Sequence, residues 1–176
     1  PGVDVKGEGW YIQVPISYDH TLWIIDQIAP KLWEKAGAKA KKVKGMDGFE
    51  RGSLAFMNMK TSSYTKVHKD ASSTLLLVTA GTRKIWLAEP HLYAVDKGGW
   101  NCMGTTMLPD CHNPAAPEYD PVKCGWKGSE PVTLKTGEAI MFPKEWWHVV
   151  KGEPESIAIG IDLSEAEACT VKRIQN

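Results

Sequence analysis

The sequence predicts a mainly β protein, most economically a double-stranded β-helix (jelly roll) preceded by an N-terminal helical segment. Three observations lead there. Seven or eight short runs of β-branched and apolar residues, most bounded by turn signals, fill the chain from Leu54 onward. Only one stretch near the start carries helical periodicity. A length of 176 residues with no internal repeat or low-complexity tract suits a single domain spanning 1–176.

The first strand is expected over Trp10–Ile16, where aromatic and β-branched residues dominate and Pro15 marks an edge or an end. A helix follows from about Asp19, whose carboxylate can cap the first amides. Leu22, Ile25, Ala29, Leu32 and Ala36 form its apolar stripe. Pro30 kinks or divides it, and Gly37 offers a stop. The lysine-rich stretch up to Gly48 reads as a polar connection, with Lys39, Lys41, Lys42 and Lys44 as a solvated cluster. Strands are then expected at Leu54–Met59, Tyr64–Val67, Thr74–Thr79, Lys84–Ala88, Pro131–Leu134, Ala139–Phe142, His148–Lys151 and Ser156–Asp162. Ala80-Gly81-Thr82 and Thr136-Gly137-Glu138 supply turns. The stretch from His91 to Ser129 is too long for an ordinary connection, so it is either a functional insertion over the barrel mouth or partly disordered.

Composition narrows the function classes. Lys plus Arg equals Asp plus Glu at 21 each, which argues against a protein devoted to gripping a phosphate backbone. No stretch approaches the roughly 20 apolar residues of a membrane span. The chain starts at Pro1 without a signal-peptide pattern, as a trimmed or mature form would, and a soluble, intracellular protein is expected. Cys102, Cys111, Cys124 and Cys169 are too few for a disulfide scaffold. The first three lie near His112 in a Gly-, Pro- and Asn-rich segment that leaves free thiols, a loop disulfide and a structural zinc all open. His20, His91 and His112 sit at a helix start or in the long loop, with solvent-exposed roles as the default.

The informative constellation is His68-Lys69-Asp70 together with the distant His148. Two imidazoles and one carboxylate make the facial triad of non-haem Fe(II) sites, with positions left open for substrates and O2. Residues two apart on a strand point to the same side, so His68 and Asp70 can converge on one ion. His148 then has to arrive from another strand. It closes Pro143-Lys144-Glu145-Trp146-Trp147-His148, directly after the strand Ala139–Phe142.

That string, with Tyr64-Thr65-Lys66-Val67-His68-Lys69-Asp70, resembles the JmjC and cupin-like family of Fe(II)- and 2-oxoglutarate-dependent oxygenases. The resemblance runs from about Tyr11 to Leu163 and is nearest to the small hydroxylase branch that includes the asparaginyl hydroxylase of hypoxia-inducible factor. It implies a cupin-like jelly roll, Fe(II), 2-oxoglutarate and O2, and oxidation of a C–H bond with release of succinate and CO2. His68, Asp70 and His148 match the iron ligands, and Thr65 matches a threonine whose hydroxyl meets the cosubstrate carboxylate. Tyr11, in Tyr11-Ile12-Gln13, resembles a tyrosine that reaches the same cosubstrate, and Gln13 would face the prime substrate. Asp162 falls where the family often has an Asn close to the iron, and Thr74 where it places another polar residue in the pocket. Asp70 itself argues against halogenation, since halogenases of this superfamily lack the carboxylate ligand.

One position departs from the pattern. Where the family's lysine pairs with the distal carboxylate, this chain has Arg83, with Lys84 beside it. An ungapped alignment selects Arg83, whose guanidinium could grip a carboxylate bidentately. A one-residue slip at Gly81 would turn Lys84 inward instead. The resemblance implies a peptide, protein or small-molecule substrate, and the short tail after Leu163 goes with a monomer. Two other readings stay open: a cupin-like metalloenzyme that does not use 2-oxoglutarate, and a non-catalytic jelly-roll binding module.

Overall fold

Period-two alternation along the strands builds two facing antiparallel sheets. The computed structural model describes residues 10–28, 30–37, 39–44, 49–93, 97–98, 104–106, 108, 119–164 and 172–175. In chain order these comprise β1 (Trp10–Ser17), α1 (Tyr18–Ile28), α2 (Pro30–Ala36), β2 (Val43–Lys44), β3 (Glu50–Met59), β4 (Ser63–Tyr64) and β5 (Val67–Lys69). Then come β6 (Ser73–Ala80), β7 (Thr82–Ala88), β8 (Lys97–Gly98), β9 (Gly104–Thr106), β10 (Val132–Lys135), β11 (Ala139–Phe142), β12 (Trp147–Gly152), β13 (Ser156–Leu163) and β14 (Lys172–Ile174). One sheet runs β1-β3-β13-β6-β11-β14 with β2 on β3; the other runs β10-β7-β12-β5-β9-β8 with β4 on β12. Non-consecutive neighbours such as β13 beside β3 and β6 are what a mainly β jelly roll requires, and the expected fold class holds.

Three apolar layers fill this architecture. Leu76, Val78, Ile85, Leu87, Leu134, Ile140, Phe142 and Ala158 come from both sheets and fill the space between them. Behind the first sheet, Ile25 and Ala36 of the helices pack on Leu75, Leu77, Met141, Ile159, Ile161 and Leu163. Behind the second, Trp86, Trp147 and Val149 meet Tyr119 and Cys124. The described part of the long insertion thus extends the second sheet beyond β5 with β9 and β8, while Leu108, Tyr119 and Cys124 cover that sheet's outer face.

Local chemistry moved several boundaries. The helical segment divides at Pro30, as its missing N–H demands. Its cap is Ser17, whose Oγ accepts from His20 N at 3.3 Å, and not Asp19, which lies in the first turn. Of the expected stripe Ile25 and Ala36 are buried, Leu22 is 39% exposed, Ala29 lies outside the described residues, and Thr21 joins the docking face. Thr21 shares a hydrogen bond with Ser53 at 2.8 Å. A Cβ on Gly52 would come to 2.9 Å from Thr21, so the helix sits directly on this polar part of β3. β3 begins at Glu50, ahead of its apolar pattern, because Lys44 and Val43 of β2 pair with Glu50 and Arg51. The run Tyr64–Val67 breaks into β4 and β5, because Thr65 exchanges its hydrogen bonds with Val150 in place of a regular ladder. Gly81, at φ +70° where a Cβ would strike Glu155 O at 2.8 Å, turns β6 into β7.

Cys124 is disulfide-bonded, so it is not a free thiol. His112 and the other three cysteines lie outside the described residues. No helix among the described residues is long and apolar enough to cross a membrane.

Ile161 is 1% exposed and faces the helices, away from the barrel interior. Ile161→Ala is expected to lower stability by about 2–4 kcal/mol in urea unfolding while leaving divalent-metal affinity unchanged.

Candidate metal centre

β12 lies between β7 and β5, and His148 is paired with Leu87 on one side and His68 on the other. Its neighbours Trp147 and Val149 belong to the outer apolar layer, so alternation turns His148 and Val150 into the barrel. The two imidazole centroids are 4.0 Å apart, and Phe142 packs 4.9 Å from the His148 ring. Asp70 completes the group, with its Oδ2 3.5 Å from His148 Nε2. One ligand atom from each of His68, Asp70 and His148 lies within 4.8 Å of the others.

Backbone carbonyls aim both rings. His68 Nδ1 bonds Lys66 O at 2.7 Å, and His148 Nδ1 bonds Trp146 O at 3.0 Å. Donation from each Nδ1–H selects the tautomer with a free Nε2 lone pair, the arrangement a metal-binding histidine needs. Burial of His148, followed by the neighbouring His68, pushes its pKa down and keeps the ring neutral. The turn between β11 and β12 is tied to the same site: Glu145 N donates to Asp70 O at 3.0 Å and Lys144 N to Ser73 Oγ at 3.1 Å. Glu145 takes φ +66° there, a left-handed conformation uncommon without glycine. The donor set of two neutral imidazoles and one carboxylate on one face of a half-buried pocket fits a first-row divalent ion with open positions.

The other sequence-predicted residues divide by depth. Tyr11 pairs with Asn58 and Gln13 with Phe56, and since Phe56 packs on the interior layer, Tyr11 and Gln13 share its face. Tyr11 is half-buried and its phenol pKa is raised by burial, against an opposing pull from Arg83; Gln13 is exposed. Arg83 alternates with Ile85 and Leu87 and so points inward, leaving Lys84 on the outer face with Trp86. It is 2% exposed, and burial pushes its pKa down to about 10. Its Nη2 donates to Phe56 O at 2.8 Å and Ser156 O at 3.0 Å, which commits one arm of the expected bidentate fork to the protein. Among the described residues no carboxylate pairs with this guanidinium. The Thr65 Oγ1 accepts from Val150 N at 2.9 Å, leaving its hydroxyl proton to donate. Thr74 and Asp162 pair across β6 and β13. Asp162 also meets Arg51 at 3.7 Å, and burial, with Asp70 adding to it, holds its carboxyl up at about 6.

Sequence reasoning missed Asn58, Ser73 and Arg51. Asn58 did carry a signal, a polar residue in the inward phase of an otherwise apolar strand. Of the remaining histidines, His20 bonds Ser17 Oγ at 2.6 Å and His91 meets Glu89 at 3.3 Å, both on the exposed surface.

Residues 26–162 match the cupin-like domain family. The chain belongs to that family. Over 118 residues, 65% of this chain, it is 25% identical to the lysine-specific demethylase JMJ31 of Arabidopsis thaliana, and covers 21% of that protein. Two structures of YcfD from Escherichia coli, one described as a ribosomal oxygenase, align over 93% of this cupin-like chain with TM-score 0.51 and 11% identity. The cupin-like chain spans 37% and 34% of those structures, a likeness of fold alone.

Two outcomes follow from this geometry. Asp70→Asn or His148→Ala is expected to weaken Co(II) binding by at least about a hundredfold, read from the visible absorption of the bound ion. In the metal-free protein Asp162 holds its proton more tightly when folded than unfolded. Its contribution therefore falls as pH rises from about 4 to about 6, and Asp162→Asn is expected to remove that loss, by up to about 2 kcal/mol in unfolding measured across this range.

Proposed function

We propose that this cupin-like domain is an Fe(II)- and 2-oxoglutarate-dependent dioxygenase that hydroxylates a side chain of a peptide or protein. The observation that carries the cosubstrate is Arg83: a buried cation on the same inward face as His148, with Nε lacking any acceptor and no carboxylate beside it among the described residues. An unpaired buried charge costs several kcal/mol, which an anionic ligand offsets. JMJ31 is named a demethylase and YcfD a ribosomal oxygenase, which supports an oxygenase acting on protein. The resemblance to the asparaginyl hydroxylase branch supports hydroxylation in particular.

In this reading His68, Asp70 and His148 hold the iron, and Arg83, Tyr11 and Thr65 hold the distal carboxylate. Thr74 and Asp162 border the iron-facing end, and Gln13, exposed on β1, meets the prime substrate. Iron and 2-oxoglutarate supply the oxidant when bound: O2 is consumed, one oxygen atom enters succinate as CO2 leaves, and the other enters the substrate C–H bond. The chain's own contribution is position and shielding. Phe142 and Val150 wall the inner side of the site, while the carbonyls of Lys66 and Trp146 keep both imidazoles in register.

A second reading, a cupin-like metalloenzyme that does not use 2-oxoglutarate, draws on the Nη2 of Arg83, whose donors already serve two carbonyls. Anaerobic titration of the apo-protein with Fe(II) and 2-oxoglutarate separates the two. A visible charge-transfer band is expected, lost in Asp70→Ala and weakened strongly in Arg83→Ala. Iron binding with no band overturns the cosubstrate assignment in favour of the second reading.

A further inference from the structure

The barrel interior holds a second polar group close to Arg83. Asn58 sits on β3 directly between Tyr11 of β1 and Ser156 of β13, and is fully buried. Its Nδ2 donates to Ser63 Oγ at 2.6 Å, which orients the amide, and its Oδ1 has no partner. Nε of Arg83 is likewise buried without one. Both side chains crowd over Gly152: a Cβ there would overlap Asn58 Oδ1 and come to 2.5 Å from Arg83 Nη1. A buried donor or acceptor left unpaired costs about 1–3 kcal/mol. Here an unpaired donor and an unpaired acceptor share one wall of the pocket, and the one glycine that makes room for them lies on the strand that carries His148.

We propose that Asn58 is a positioning residue for the cosubstrate pocket. Its Oδ1, unpaired in the ligand-free protein, faces the Arg83 guanidinium across Gly152 and takes up a guanidinium N–H when the distal carboxylate of 2-oxoglutarate engages that cation. The inference rests on the assignment of Arg83 made above. The chemistry assigns Oδ1 to the cation, because a carbonyl oxygen repels an incoming carboxylate. It also accounts for an amide at this position: an acid of the same shape would pair with Arg83 and cancel the charge that the ligand needs. The short bond to Ser63 keeps the amide from flipping.

Calorimetric titration of the Mn(II)-loaded protein with 2-oxoglutarate tests this without turnover. Asn58→Asp is expected to weaken 2-oxoglutarate by about a hundredfold with Mn(II) affinity unchanged, because the new carboxylate occupies the guanidinium. Ser63→Ala, on the partly exposed β4, frees the amide and is expected to weaken the ligand about fivefold, the loss of one modest hydrogen bond. Binding of 2-oxoglutarate by Asn58→Asp within error of the unsubstituted protein overturns the role, as does a parallel loss of Mn(II) affinity, which marks a merely structural residue. Should Asn58→Asp not fold, an unchanged Ser63→Ala overturns it. If the unsubstituted Mn(II) protein itself takes up no 2-oxoglutarate, the cosubstrate assignment falls, and the role of Asn58 with it.

Discussion

The register of β12 between β7 and β5 is the constraint on which the rest of the site depends. Because side chains alternate along a strand, a slip of one residue would bury His148 in the outer layer and drive Trp147 into the barrel. Burial of Trp147, completely out of solvent with its Nε1 on Pro90 O at 3.1 Å, opposes that slip. The turn before β12 adds a second restraint through Asp70 and Ser73. Packing energy on the far side of the sheet thus holds the imidazole in place on the near side.

The same alternation puts charges of opposite sign at two depths of one interior. His148 and Gly152 pair with Leu87 and Arg83 respectively, so the triad and the buried guanidinium are separated by four residues of strand, roughly 13 Å between their backbones. Asp70 and Asp162 make the outer end acidic, with Arg51 as partial relief. The inner end is cationic, lined by Tyr11, Asn58 and Arg83.

Much of this was legible from residue types and spacing. Strand Ala139–Phe142 matched its boundaries because Gly137 and Pro143 bracket four apolar residues, and Pro15 marked β1 as an edge. The triad could be read because His68 and Asp70 obey the two-residue period of a strand, and Arg83 over Lys84 because an ungapped count kept the hairpin phase. Elements whose stability comes from contacts with polar partners were less legible. The start of β3 depends on Lys44 and Val43 pairing with Glu50 and Arg51, and the break between β4 and β5 on Thr65 meeting Val150. Neither pair is adjacent in sequence.

By itself the sequence determined what recurs at fixed spacing: the β class, the helical segment split at Pro30, and the shared strand face of His68 and Asp70. Those follow from local sterics and periodicity, which act over a few residues. The tertiary structure alone decided that β12 lies between β5 and β7, that the described insertion adds β9 and β8 beside β5 and covers the outer face of that sheet, and that Asn58 shares a wall with Arg83. It also gave Asp162 its Arg51 partner. These depend on which distant strands pair and on how polar groups satisfy one another once water is excluded, and no local pattern encodes that.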